Sequence, residues 1–176
     1  EKQRKDFVTE VDLQAEREII RTLNKIYTDH AILAEESGVS GENDEYQWII
    51  DPLDGTTNYL NGFPHFAVSI GLKHKGRLEA GLIYDPLKQD IFMASRGQGA
   101  SLNDRRIRVK KRTSLEGALI ATGIPARHMQ HKPAFLEMMS SLMSGGGQLR
   151  RTGSAALDLA YVAAGRLDGF WEIGLN

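Results

Sequence analysis

Trp48-Ile49-Ile50-Asp51-Pro52-Leu53-Asp54-Gly55-Thr56-Thr57-Asn58 joins an apolar run to a pair of carboxylates and a glycine turn. Its three leading residues form a short apolar run of the kind that makes a buried strand. Asp51-Pro52 should end that run sharply, because Pro52 has no N–H to donate and bends the chain. Gly55 permits a tight turn, so the two aspartates, three residues apart, can converge on one point. Thr56 and Thr57 suit a helix start, where free N–H groups and the helix dipole favour an anion. Hard cations such as Mg²⁺ take oxygen ligands in octahedral geometry, often few carboxylates with several waters. Asp51, Asp54 and the carbonyl of Leu53 offer three such oxygens. Taken alone, Asp-Pro-x-Asp-Gly is also an ordinary surface turn.

Two neighbours weigh against the surface turn. The stretch follows residues that should be buried, and a second acidic pair, Glu35-Glu36, follows another apolar run at residues 31–34. If those two strands are neighbours, three or four carboxylates meet at one sheet edge, and like charges so placed need a cation to be tolerable. Upstream, residues 9–27 read as an amphipathic helix, with Ile19, Ile20, Leu23, Ile26 and Tyr27 at helical spacing. Thr9 and Asp12 match the pattern in which a threonine and an acid three residues on cap a helix reciprocally. Asp12 is thereby a capping carboxylate in its own right.

Downstream the pattern turns to β. Residues 66–72, 79–84 and 90–94 alternate or run apolar, separated by Lys-Gly and Asp-Pro turns, and Gly97 and Gly99 mark a further turn. Short strands are expected at 107–109 and 118–121. Residues 133–143 read as a helix stopped by Gly145-Gly146-Gly147. Ser154 can cap a last helix over 155–164, closed by Gly165, and residues 169–173 are strand-like. Helices alternate in layers with an antiparallel-leaning sheet, without repeats or low-complexity linkers.

Composition sets the outer bounds. The 176 residues suit one domain, and 41% hydrophobic with 26% charged residues is the balance of a globular protein. A net charge of −1 gives no basic excess to suggest nucleic-acid binding. The basic run at 105–112 reads as a solvated strand edge and loop. The absence of cysteine excludes disulfides, thiolate metal sites and cysteine nucleophiles, and fits a cytoplasmic location. No apolar run approaches the roughly 20 residues that span a bilayer, and no signal-peptide pattern appears. Other hydrolytic chemistries find no motif: G-x-S-x-G and His-Glu-x-x-His are missing, and Gly145-Gly146-Gly147 is followed by Gln-Leu-Arg rather than Gly-Lys-Thr.

Glu35-Glu36-Ser37, together with the stretch at 48–58, resembles the signature of the inositol monophosphatase family. The resemblance extends over nearly the whole chain, through Asp6-Phe7-Val8-Thr9 and Asp12, Pro64-His65-Phe66-Ala67-Val68-Ser69, Gly97-Gln98-Gly99-Ala100, Arg151-Thr152-Gly153-Ser154-Ala155-Ala156 and Trp171-Glu172-Ile173-Gly174. The likeness is greatest to the bacterial SuhB-type members. It implies an α+β fold layered αβαβα, as in inositol monophosphatase and fructose-1,6-bisphosphatase, and an Mg-dependent hydrolysis of a phosphomonoester, above all inositol 1-phosphate. Glu35, Asp51 and the Leu53 carbonyl are implied as ligands of one metal, and Asp51 and Asp54 as ligands of a second. Thr56 with Asp12 resembles the pair that orients and deprotonates the attacking water, and Glu35 joins them in the catalytic set. The amides of Gly55 and Thr56 are implied to hold the phosphate. Gly153, Ser154 and Ala155 would line the substrate, and Glu172 would bind its hydroxyls. Read alone, Glu172 is a surface residue of a terminal strand, and His65 is a packed or surface histidine rather than an acid.

The resemblance also implies lithium sensitivity and a homodimer. It further implies segments on both sides of this stretch, among them an aspartate ligand of the second metal in a Trp-Asp motif just beyond Asn176. Activity on fructose 1,6-bisphosphate or on a 3′,5′-bisphosphate nucleotide stays open, since substrate loops decide it. So does a non-catalytic role, with the transcription antitermination machinery as partner. Retention of Glu35, Asp51, Asp54, Thr56 and Asp12 favours catalysis. No direct nucleic-acid or membrane contact is expected.

Overall fold

A computed structural model describes residues 9–43, 45–125 and 129–175; the Asp6-Phe7-Val8 part of the resemblance lies outside them. The first helix, α1 (Glu10–Ile26), begins with the reciprocal cap expected of Thr9 and Asp12: the Thr9 hydroxyl accepts from the Asp12 amide, and the Asp12 carboxylate accepts from the Thr9 amide. Ile19, Ile20 and Leu23 form its apolar stripe and pack on Ile32, Ala34 and Ile50. These three lie on β1 (Ala31–Ala34) and β3 (Tyr46–Asp54), which pair in parallel with Ala34 opposite Ile50.

β3 is the hinge of the architecture. Its other side carries antiparallel β4 (Ala67–His74), β5 (Arg77–Asp85), β6 (Asp90–Ser95), β7 (Gly99–Leu102) and β8 (Arg105–Arg106), and β2 (Gly38–Ser40) closes the far edge. β3 does not stop at Asp51-Pro52. It continues to Asp54 because the ladder to β4 accommodates the proline with a bulge: Asp51 faces Ser69 and Asp54 faces Ala67, so three steps on β3 oppose two on β4. A five-residue helix, α2 (Thr56–Leu60), follows at once.

A second sheet, not foreseen from sequence, is parallel throughout: β10 (Gln148–Arg150), β9 (Leu119–Thr122) and β11 (Gly169–Trp171) lie in that order. Between the sheets runs α4 (Ala155–Ala163), which touches β4 and β5 on one side and β9 and β11 on the other. Leu157 and Ala160 of α4 pack on Ala67 and Phe92. α3 (Lys132–Ser144) covers β10 after a 3-10 turn at Met129–His131. The layers therefore run α1, large sheet, α4, small sheet, α3, an α+β sandwich of five layers. Two expectations are corrected in detail. Residues 107–109 make no strand, because the ladder ends with the Ile107 amide on the Ala100 carbonyl, at 3.0 Å, and the chain beyond is tied elsewhere: Arg112 Nε lies 2.8 Å from a buried Asp168 carboxylate oxygen. The loop after Glu36 contains the short strand β2. No helix among the described residues is long and apolar enough to cross a membrane.

Candidate active site

The bulge in β3 does chemical work. In a regular strand, residues three apart point to opposite faces of the sheet. The extra residue cancels that difference, because Ser69 and Ala67, the partners of Asp51 and Asp54, are two apart and share a face. Ala67 belongs to the α4-facing core, so both aspartates are turned toward the start of α4. Pro52 and Leu53, between them, are buried, and the Leu53 amide donates to Asp51 Oδ1 at 3.0 Å.

Asp54 lies at the N-terminus of α4. Its Oδ2 accepts from Ser154 Oγ at 2.6 Å and from the Ala156 amide at 2.7 Å. Ser154, buried, is the N-cap of that helix and also accepts from the Leu157 amide. Burial nevertheless raises the Asp54 carboxyl above its ordinary range, with these two hydrogen bonds opposing the rise.

Glu35 reaches the same end of the sheet from β1. Its amide donates to the Ile50 carbonyl at 3.0 Å, which carries the β1–β3 pairing one residue past the strand and sets Glu35 beside Asp51. Asp51 is pushed up to about 8, first by burial, then by the charges of Glu35 and Asp54. Glu36 is also raised, by burial and then by Glu35, Asp12 and Glu16. Crowding of this kind is what a divalent cation relieves.

The donor set suits Mg²⁺ in kind: oxygen atoms alone, from Glu35, Asp51, Asp54 and the Leu53 carbonyl. Among the described residues, no three acidic, histidine or cysteine side chains close into a ready-made metal cage. The two findings agree once the ion's habits are counted, because Mg²⁺ keeps several waters and binds through one or two carboxylates plus substrate phosphate. An open acidic cluster fits it better than a closed cage.

Beside the acids stands Thr56, whose hydroxyl lies 3.3 Å from Asp12 Oδ1 and 3.1 Å from the Leu53 carbonyl. Asp12 is buried, and one carboxylate serves two ends: Oδ2 caps α1 and Oδ1 faces Thr56. Gly55, at φ 98°, makes the turn into α2, and a Cβ there would sit 3.0 Å from the His65 carbonyl and 3.3 Å from that of Gly153. The second wall is built by Asn58, which is buried. Its Nδ2 donates to the carbonyls of His65, at 2.7 Å, and Thr152, at 2.8 Å. Gly153, at φ 88°, leaves the space for that amide, since its Cβ would fall 3.0 Å from Asn58 Nδ2. Ala155 opens α4 directly behind Ser154.

Glu172 arrives from the end of β11. Its carboxyl is raised by burial, then by the Asp54 charge, while Arg151 opposes the rise. The residue next to it across the sheet is Gly123, where a Cβ would lie 1.9 Å from the Glu172 carboxyl carbon. An alanine there would push the Glu172 carboxyl out of this seat. His65 packs edge-on to the Tyr161 ring, with burial lowering its pKa.

Sequence reasoning passed over several parts of this constellation. Asn58 stood inside the motif without a role, and Asp158, buried and pushed up to about 6 mainly by burial, takes the Thr152 hydroxyl at 2.5 Å. Gly123 gave no signal. Neither did the contact of Asp54 with Ser154, 100 residues apart.

Five layers, with an acidic cluster where a bulged strand meets the start of the middle helix, define a class of layered α+β proteins. The chain belongs to the inositol monophosphatase family, whose model matches residues 1–176. It is 56% identical over 181 aligned residues to the Nus factor SuhB of Pseudomonas aeruginosa, covering 100% of this chain and 67% of that protein. Among solved structures it resembles the extragenic suppressor protein SuhB of Bartonella henselae, with a TM-score of 0.95, 47% identity and coverage of 99% of this chain and 67% of that one. The inositol monophosphatase of Anabaena follows it with a TM-score of 0.87, 42% identity and coverage of 94% and 66%. The chain thus spans about two thirds of the length of the relatives it matches.

Proposed function

We propose that this protein hydrolyses a phosphomonoester, inositol 1-phosphate foremost, with Mg²⁺ as its cofactor. The observation that carries the reading is the bulge at Pro52-Leu53, which turns Asp51 and Asp54 to one face beside Glu35 and the Asp12–Thr56 pair. Glu35, Asp51 and the Leu53 carbonyl would hold one ion, and Asp51 with Asp54 a second. Bound there, Mg²⁺ supplies charge neutralisation on the phosphoryl oxygens and acidifies water at neutral pH.

The chain's own residues do the positioning. Thr56 Oγ orients the attacking water, and its proton passes through that hydroxyl to Asp12 Oδ1, which already faces Thr56. The Gly55 and Thr56 amides at the start of α2 bind the phosphate. Gly153, Ser154 and Ala155 line the alcohol side, and Glu172, held back in the space left by Gly123, accepts hydrogen bonds from polyol hydroxyls. Catalysis then rests on placement and electrostatics, without a covalent phosphoenzyme.

The test is phosphate release from inositol 1-phosphate with and without Mg²⁺. Turnover that appears only with Mg²⁺ and is suppressed by millimolar Li⁺ supports the reading, and metal-independent turnover contradicts it. The relatives named Nus factors favour a second role, in which the same protein joins the transcription antitermination machinery. Binding of that machinery by an inactive Asp54→Asn protein would show the two roles to be separable.

A further inference from the structure

Glu16 is a buried carboxylate to which the reaction above gives no task. It sits on α1 one turn after Asp12 and is 3% exposed. Its Oε2 accepts from the Glu36 amide at 2.9 Å and its Oε1 from the Ser37 amide at 3.0 Å, across 20 and 21 residues of sequence. The amide just before these, that of Glu35, is held by the Ile50 carbonyl. Three consecutive amides at the end of β1 are therefore fixed, one by the sheet and two by a single side chain.

This arrangement is costly and specific. A carboxylate taken from water needs strong partners, and two charge-assisted hydrogen bonds to backbone amides are of that kind. Glu16 is kept buried although Asp12, Glu35 and Glu36 bring further negative charge close by. A groove of about 330 Å³ runs along the turn, lined by Leu13, Ile20 and Arg17 together with Glu16, Glu36 and Ser37. Helical spacing of four puts Asp12 and Glu16 on one face of α1. That face reaches Thr56 with the first carboxylate and the Glu35 turn with the second.

We infer that Glu16 is a positioning residue for the metal site: by clamping the Glu36 and Ser37 amides it fixes where the Glu35 carboxylate stands relative to Asp51. It acts through Glu35 and touches neither substrate nor metal. The inference rests on the phosphatase reading, in that Glu35 is a ligand. Outer-shell partners of metal ligands commonly control affinity by 10–100-fold.

The experiment is a calorimetric Mg²⁺ titration of wild type and Glu16→Gln in the full-length protein. Amide hydrogen exchange at residues 36 and 37, and turnover against Mg²⁺ concentration, are measured alongside. The glutamine keeps the shape but presents an NH₂ to one of the two amides. Expected are a Kd for Mg²⁺ raised about tenfold or more and faster exchange at both amides. Turnover should recover toward wild type at saturating Mg²⁺, whereas a merely structural defect would lower it at every Mg²⁺ concentration. Glu16→Asp, one methylene shorter with its charge kept, should behave likewise, and it is read instead if Glu16→Gln does not fold. Mg²⁺ affinity equal to wild type in a folded variant overturns the inference and leaves the phosphatase reading standing. Wild type that takes up no Mg²⁺ overturns both.

Discussion

Asp54 is where fold and chemistry share one atom pair. Its Oδ2 is spent on Ser154 and Ala156, at the start of α4, and Oδ1 is the oxygen the proposed Mg²⁺ would take. Asp54→Asn keeps the shape and the hydrogen-bond acceptor but removes the charge. The expected outcome is loss of Mg²⁺-dependent turnover by about 100-fold or more, with the circular dichroism spectrum unchanged. Asn58 makes a contrasting case, because it touches no proposed ligand. Asn58→Ala strips the donor from two carbonyls, and a destabilisation of about 2 kcal/mol is expected in denaturant unfolding. Gly123→Ala has no room for its methyl beside Glu172. It should raise KM for the polyol phosphate more than it lowers kcat. The same substitution placed on Glu172→Ala should add little, since the steric conflict then has no partner.

Among the elements, those specified by neighbouring residues are readable from the sequence and those set by distant pairing are not. The cap of α1 was legible because Thr9 and Asp12 are three residues apart and satisfy each other. Ala31–Ala34 was legible as a short apolar run, and Ser154 as a cap because serine is what a helix start selects. The bulge was not legible. Pro52 reads as a strand breaker, and only the register of β4, set by residues 67–74, lets the strand pass through it. The small parallel sheet was hidden for a similar reason: β10 and β11 are three residues each, and their pairing with β9 is non-local. Glu16 carries no signal of its own, because nothing in its sequence neighbourhood announces partners 20 residues away. Thr9→Ala tests the legible part. It removes the side-chain acceptor of the cap, and a loss of about 1 kcal/mol of stability is expected from thermal or denaturant unfolding.

For the whole molecule, the five layers explain why the site lies where it does. β1 ends opposite Ile50 while β3 runs on to Asp54, α1 delivers Asp12 from one side of the large sheet, and α4 begins on the other. Asp12 and Ser154 each meet the site and also cap the helix they begin, α1 and α4. Damage to the site should therefore be felt in stability, and the reverse. The family resemblance adds an expectation at this scale. The full-length protein should be a homodimer, with twice the protomer mass in light scattering, and a monomer there would refute it.

The acids gathered at the β3 bulge are proposed to form a working Mg²⁺ site. The most direct test is phosphate release from inositol 1-phosphate by the full-length protein, with Mg²⁺ and without it, against Asp54→Asn. Release should require Mg²⁺ in wild type and stay at background in the variant. Equal release by both proteins would contradict it.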